Sequence, residues 1–92
     1  MHGQAHDHFK KDRPFASPEA AARKLLDLVR EEMAAIGQPH AYTGTVNSAF
    51  TRDGCSVAEY GAGIEFGVAQ GWFEIDSSGT RITFGTNYAL ST

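Results

Sequence analysis

The chain has a single cysteine, Cys55, so no internal disulfide can staple it, and a reducing, cytoplasmic setting is the simplest expectation. No apolar run approaches the roughly 18–20 residues that a membrane-spanning helix needs. The N-terminal stretch MHGQAHDHFKKDRPF has no apolar centre and does not read as a secretory signal. Positive charge is also scarce. Lys and Arg number 8 against 11 Asp and Glu, a net charge of −3 that disfavours wholesale attraction to phosphate or anionic lipid. There is no internal repeat and no phosphate-binding glycine loop. Gly61-x-Gly63-x-x-x-Gly67 falls inside an expected helix, where backbone donors are already used. Beyond the N-terminal stretch, neither a Ser–His–Asp set nor metal-ligand spacing is present. The expectation is therefore a non-enzyme, with no catalytic or metal site, no cofactor and no membrane partner.

What is present suits one small globular domain. The 92 residues are 41% hydrophobic and include six phenylalanines, three tyrosines and a tryptophan, enough to fill a core. Residues 1–14 lack periodicity and read as a flexible arm, leaving 15–92 as the domain. Ser17 is a suitable N-cap, Pro18 suits the first helical position, and Glu19 favours the positive end of the dipole. Ala22, Leu25, Val29, Met33 and Ile36 then recur at helical spacing, widened by Leu26 and Leu28, and Gly37 and Pro39 stop the helix. Ala41 to Val46 suits a short strand or extended link. Val46 to Arg52 suits two helical turns with Val46, Ala49 and Phe50 inward, or else a loop.

The next helix starts at a capping box, Ser56-Val57-Ala58-Glu59, with Cys55 and Tyr60 placed as a hydrophobic staple. Steps of 100° put Val57, Tyr60, Ile64 and Val68 on one side, the expected buried face, with Gly61 and Gly67 at its edges. Gly63 and Phe66 are then expected to point outward, and Gly71 to stop the helix. Helical glycines each cost roughly 1 kcal/mol relative to alanine, so close approach of another element should compensate. Trp72–Asp76 and Thr80–Phe84 read as two strands around Ser77-Ser78-Gly79. Two registers are open: one groups Trp72 with Ile82 and Phe84, the other groups Phe73 and Ile75 with them. Thr86 is placed to cap a last turn through Tyr88 and Leu90.

This order, helix–strand–helix–helix–hairpin, resembles the winged helix-turn-helix family. The resemblance rests on the Glu59-Tyr60 helix start, the Gly71-Trp72-Phe73 junction and the Ser78-Gly79-Thr80 turn before Ile82-Thr83-Phe84. It implies a small α+β domain of three helices with a C-terminal two-stranded β-hairpin wing. It also implies a DNA-associated, regulatory role in which the third helix meets double-stranded DNA. The implied groove-facing residues are Ala58, Glu59, Ala62, Glu65, Phe66, Ala69 and Gln70, with Ser78 in the wing turn and Arg52 and Arg81 nearest phosphates. Base edges are usually read by Arg, Lys, Asn, Gln, Ser or Thr. On that helix only Gln70 belongs to this set, and Glu65 would repel the backbone. The alternative is a protein-interaction or homodimerisation module on the same scaffold, with Gly63, Phe66 and Ala69 at the interface.

Other chemical groups have plainer explanations. His2, His6, Asp7 and His8 form a loose metal-like cluster, but without fixed geometry a solvated arm is the better explanation. Lys10, Lys11 and Arg13 suit either phosphate contact or solubility. Cys55, beside a helix N-terminus, has no adjacent base and reads as a packed residue. Glu32 lies within the apolar arc of the first helix and is expected to reach solvent or pair with Arg52 or Arg81.

Overall fold

The computed structural model describes residues 17–88, so the N-terminal arm with its histidines and lysines, and Leu90 at the other end, lie outside the described residues. Helix α1 (Pro18–Ile36) starts where the Ser17 side chain accepts the Ala20 N–H, and ends at Gly37, whose φ of 65° turns the chain so that the Gln38 N–H joins the Gly37 N–H on the Met33 carbonyl, at 3.3 and 2.9 Å. Ala21, Ala22, Leu25, Leu26, Leu28 and Val29 are buried. The stripe fades in the last turn, where Met33 is half-buried and Ile36 is exposed.

Strand β1 (Ala41–Tyr42) is brief, and α2 (Thr43–Arg52) starts three residues earlier than the sequence suggests. The cause is tertiary. Tyr42 offers no side-chain cap. Instead the Thr43 N–H donates to the Thr80 carbonyl at 2.9 Å and its hydroxyl to the Gly79 carbonyl at 2.8 Å. The hairpin thus anchors the first turn of α2. Val46 and Phe50 are buried, as their spacing implies.

Helix α3 (Val57–Gln70) carries the expected capping box. The Ser56 N–H donates to the Glu59 carboxylate at 2.7 Å, and the Glu59 N–H donates to the Ser56 hydroxyl at 3.1 Å. Gly71, with φ of 75°, ends the helix and turns the chain into the sheet. Strands β2 (Phe73–Ile75) and β3 (Arg81–Phe84) pair antiparallel, and β1 joins the other side of β3, giving the order β1-β3-β2.

The register is the second of the two expected, with Phe73 opposite Phe84 and Ile75 opposite Ile82. It lengthens the connecting loop to Ser77–Thr80. The Asp76 carboxylate holds this loop, accepting from the Ser78 hydroxyl at 2.7 Å and the Arg81 N–H at 3.3 Å. In this register Phe73 and Ile82 enter the core with no exposed surface, beside Leu25, Val29, Val46 and Phe50. Beyond β3 a single turn brings Tyr88 to stack on Phe84 at 4.6 Å. Three helices followed by a C-terminal hairpin form a compact α+β domain whose topology is consistent with a winged helix. Among the described residues, no helix is long and apolar enough to cross a membrane.

Candidate functional site

Helix α3 is rotated from the orientation that its apolar spacing suggests. Its buried line is Glu59, Gly63 and Gly67. A Cβ on Gly63 would lie 2.8 Å from the Ala21 Cβ and 2.9 Å from the Leu25 Cδ1, and one on Gly67 would overlap the Phe73 ring. These glycines therefore let α3 press its backbone onto α1 and the sheet, with contacts that no side chain would permit. The outward Gly63 expected above is corrected accordingly. So is Phe66, which is half-buried with its ring edge-on to Trp72 at 5.3 Å. Trp72 in turn lies under the Arg23 guanidinium, 5.1 Å from the ring centre.

The side expected to be buried is largely outside. Val57 is 72% exposed and Val68 46%, Gly61 is exposed, and only Tyr60 and Ile64 are half-buried against the core. The backbone-to-backbone fit at Gly63 and Gly67 claims the interior, leaving along α3 an apolar line that the described residues cover only in part. Ala58 and Ala69 flank this line, and Glu65 is its single exposed charge.

Beside the middle of the line runs an open groove of about 450 Å³. Tyr60, Gly61 and Ile64 form one wall, Thr43, Gly44 and Asn47 of α2 another, and Ile75 and Gly79 of the hairpin close it. None of these residues is charged. The Tyr60 hydroxyl is directed to the Thr43 carbonyl at 3.4 Å, and its ring lies edge-on to Phe50 at 5.9 Å. Burial raises its phenol pKa above the usual value, so it stays a neutral donor at physiological pH. The Asn47 Oδ1 is buried without a hydrogen-bond partner among the described residues. Among the described residues a Cβ on Gly44 or Gly61 would meet nothing within 4 Å, so these glycines show no packing cause of the kind found at Gly63 and Gly67.

The cations are mostly engaged elsewhere. Arg23 pairs with Glu19 at 2.7 Å, Lys24 with Asp53 at 2.7 Å, Arg30 with Asp27 at 3.0 Å and Arg81 with Asp76 at 3.6 Å. The Lys24 hydrogen bond and charge hold the Asp53 carboxyl below the ordinary carboxylate range. Arg52 is exposed and lines a separate cleft between α1 and α2 that also holds Glu31, Glu32 and Asp53. Glu32 is half-buried and lines the same cleft as Arg52, but among the described residues it forms no ion pair with it, and Arg81, the other expected partner, lies with Asp76 in the hairpin.

No protein-family model matches the chain, and no curated protein or solved structure matches it.

Of the residues that the family resemblance pointed to, Ala58, Glu65, Ala69 and Gln70 are exposed on α3, Ala62 and Phe66 are half-buried, and Glu59 is buried in its cap. Glu59 is committed to the Ser56 N–H rather than turned outward. Ser78 is exposed in the hairpin loop, its hydroxyl donated to Asp76. Arg52 and Arg81 lie in different clefts, so the structure does not gather them with the α3 positions. Sequence reasoning missed Val57, Gly61, Ile64 and Val68 as a surface. The available signal was the pairing of Gly63 and Gly67 four residues apart in register with Glu59, which marks a second line competing for the interior. Among the described residues, no group of His, Cys, Asp and Glu is arranged to hold a metal.

Proposed function

We propose that this protein is a non-catalytic protein-interaction module on a winged-helix-type scaffold, with the outward apolar line of α3 as its contact surface. The observation that carries this reading is the exposure of Val57 and Val68, at 72% and 46%, on a helix whose outer side bears no cation. Apolar surface left in a line on one helix favours burial against another chain, in the manner of a helix laid into a groove. Duplex binding draws most of its affinity from neutralised phosphates, and here the paired arginines and Glu65 work against it.

The test is a pair of substitutions, Val57→Lys with Val68→Lys. Both positions are exposed, so the folded spectrum and thermal midpoint should be kept while capture of a protein partner by cross-linking is lost. The competing reading is a DNA-associated regulator, favoured by the helix–helix–hairpin arrangement and by Lys10, Lys11 and Arg13 in the arm. Duplex affinity that falls steeply with salt and rises with the two added lysines would overturn the interaction reading in its favour.

A further inference from the structure

We infer that the partner of this surface is a second copy of the same chain, docked through an antiparallel α3–α3 contact in which Ile64 of each copy fills the space left open at Gly61 of the other. The inference rests on the interaction reading above and specifies its occupant. Val57, Gly61, Ile64 and Val68 are separated by four, three and four residues, a spacing that reads the same in both directions. A two-fold axis perpendicular to two antiparallel helices therefore sets Val57 opposite Val68 and Gly61 opposite Ile64, twice over.

Size complements size in that register. Beyond its own stretch of helix, Gly61 has no described neighbour within 4 Å of where its Cβ would stand, and Ile64, half-buried on its own core, stands beside it at the groove wall. The same glycine, if it served only the monomer, would lower helix stability by about 1 kcal/mol without a packing return. An opposing Ile64 supplies that return. Charge permits the pairing too, since Glu65 falls opposite Tyr60 rather than opposite its own copy. One helical line falls short of the ~800 Å² per partner typical of stable complexes. The inference therefore requires the uncharged groove walls beside the line, at Asn47, Ile75 and Gly79, to lie within the contact.

The test is sedimentation equilibrium on the full chain, with Gly61→Leu as the diagnostic variant. Leucine is a better helix former, its Cβ meets no described neighbour within 4 Å and the open groove beside Gly61 takes the rest of the side chain, so the variant should fold at least as stably. It should nevertheless weaken dimerisation at least tenfold, because the cavity that receives Ile64 is filled. Register is read separately by mixing Gly61→Cys and Ile64→Cys proteins, both in a Cys55→Ala background verified as folded. Disulfides should form between unlike variants and far less between like ones. A chain that stays monomeric up to ~1 mM, a dimer indifferent to Gly61→Leu, or preferential like-with-like cross-linking would each overturn the inference. A monomer would leave the α3 surface available to a different protein, which the Val57→Lys and Val68→Lys capture experiment decides independently.

Discussion

Gly61, Gly63 and Gly67 share one helix but answer to different demands, and substitution separates them. Alanine at Gly63 must displace Ala21 and Leu25, and at Gly67 it must displace the Phe73 ring, which itself has no exposed surface to retreat into. Overpacking of this kind costs about 1–3 kcal/mol, outweighing the ~1 kcal/mol that alanine returns in helix propensity. Gly63→Ala and Gly67→Ala should therefore lower the urea midpoint, whereas Gly61→Ala should leave it unchanged or raise it. A destabilised Gly61→Ala would show that Gly61 is held by some contact within the monomer. Asp76 offers a second measurement on one residue. The Ser78 hydroxyl, followed by backbone N–H groups, holds its carboxyl below the ordinary value of 3.8. A carboxylate depressed by folding contributes stability above its unfolded pKa, and that contribution fades as pH falls through the lower folded value. An NMR titration should place the Asp76 midpoint below 3.8, and Ser78→Ala should move it upward.

Elements were legible in the sequence wherever a local signal fixed them. The Ser17 cap with Pro18, the Ser56–Glu59 box and the left-handed Gly37 and Gly71 stops mark ends that propensity alone blurs. Removing a hydroxyl cap typically costs ~1 kcal/mol, so Ser56→Ala should lower stability by about that amount in denaturant unfolding. Features set by distant partners were not legible in the same way. The start of α2 depends on Thr43 reaching the hairpin, more than thirty residues away in the chain. The hairpin register depends on Phe73 and Ile82 both being taken into the core. The facing of α3 depended on a choice between two lines about 100° apart, and hydrophobicity favoured the wrong one. Val57 and Val68 are more apolar than Gly63 and Gly67, yet close backbone contact with α1 decides the outcome. The same misreading is what concealed the candidate surface, and it also recasts Phe66. Because Phe66 packs on Trp72, Phe66→Ser should destabilise the fold rather than release a partner from an intact one.

For the whole molecule, charge and apolar surface make opposite demands of ionic strength, and a single titration tells them apart. The chain carries a net charge of −3, with Arg23, Lys24, Arg30 and Arg81 each paired within the domain. Under the proposed α3–α3 contact, two such copies repel weakly at long range and attract only where the α3 lines meet. Salt screens the repulsion, with a Debye length near 10 Å at 0.1 M and about 3 Å at 1 M, and does not weaken apolar burial. Self-association should therefore tighten modestly from 50 mM to 500 mM NaCl. Binding to a duplex must do the reverse, because each phosphate neutralised releases a counterion whose entropic advantage shrinks as salt rises. The two dependences have opposite sign whatever their size, so the comparison needs no absolute affinity. An association that weakens with salt, at unchanged fold, would mean that ion pairs rather than Val57, Ile64 and Val68 hold the copies together.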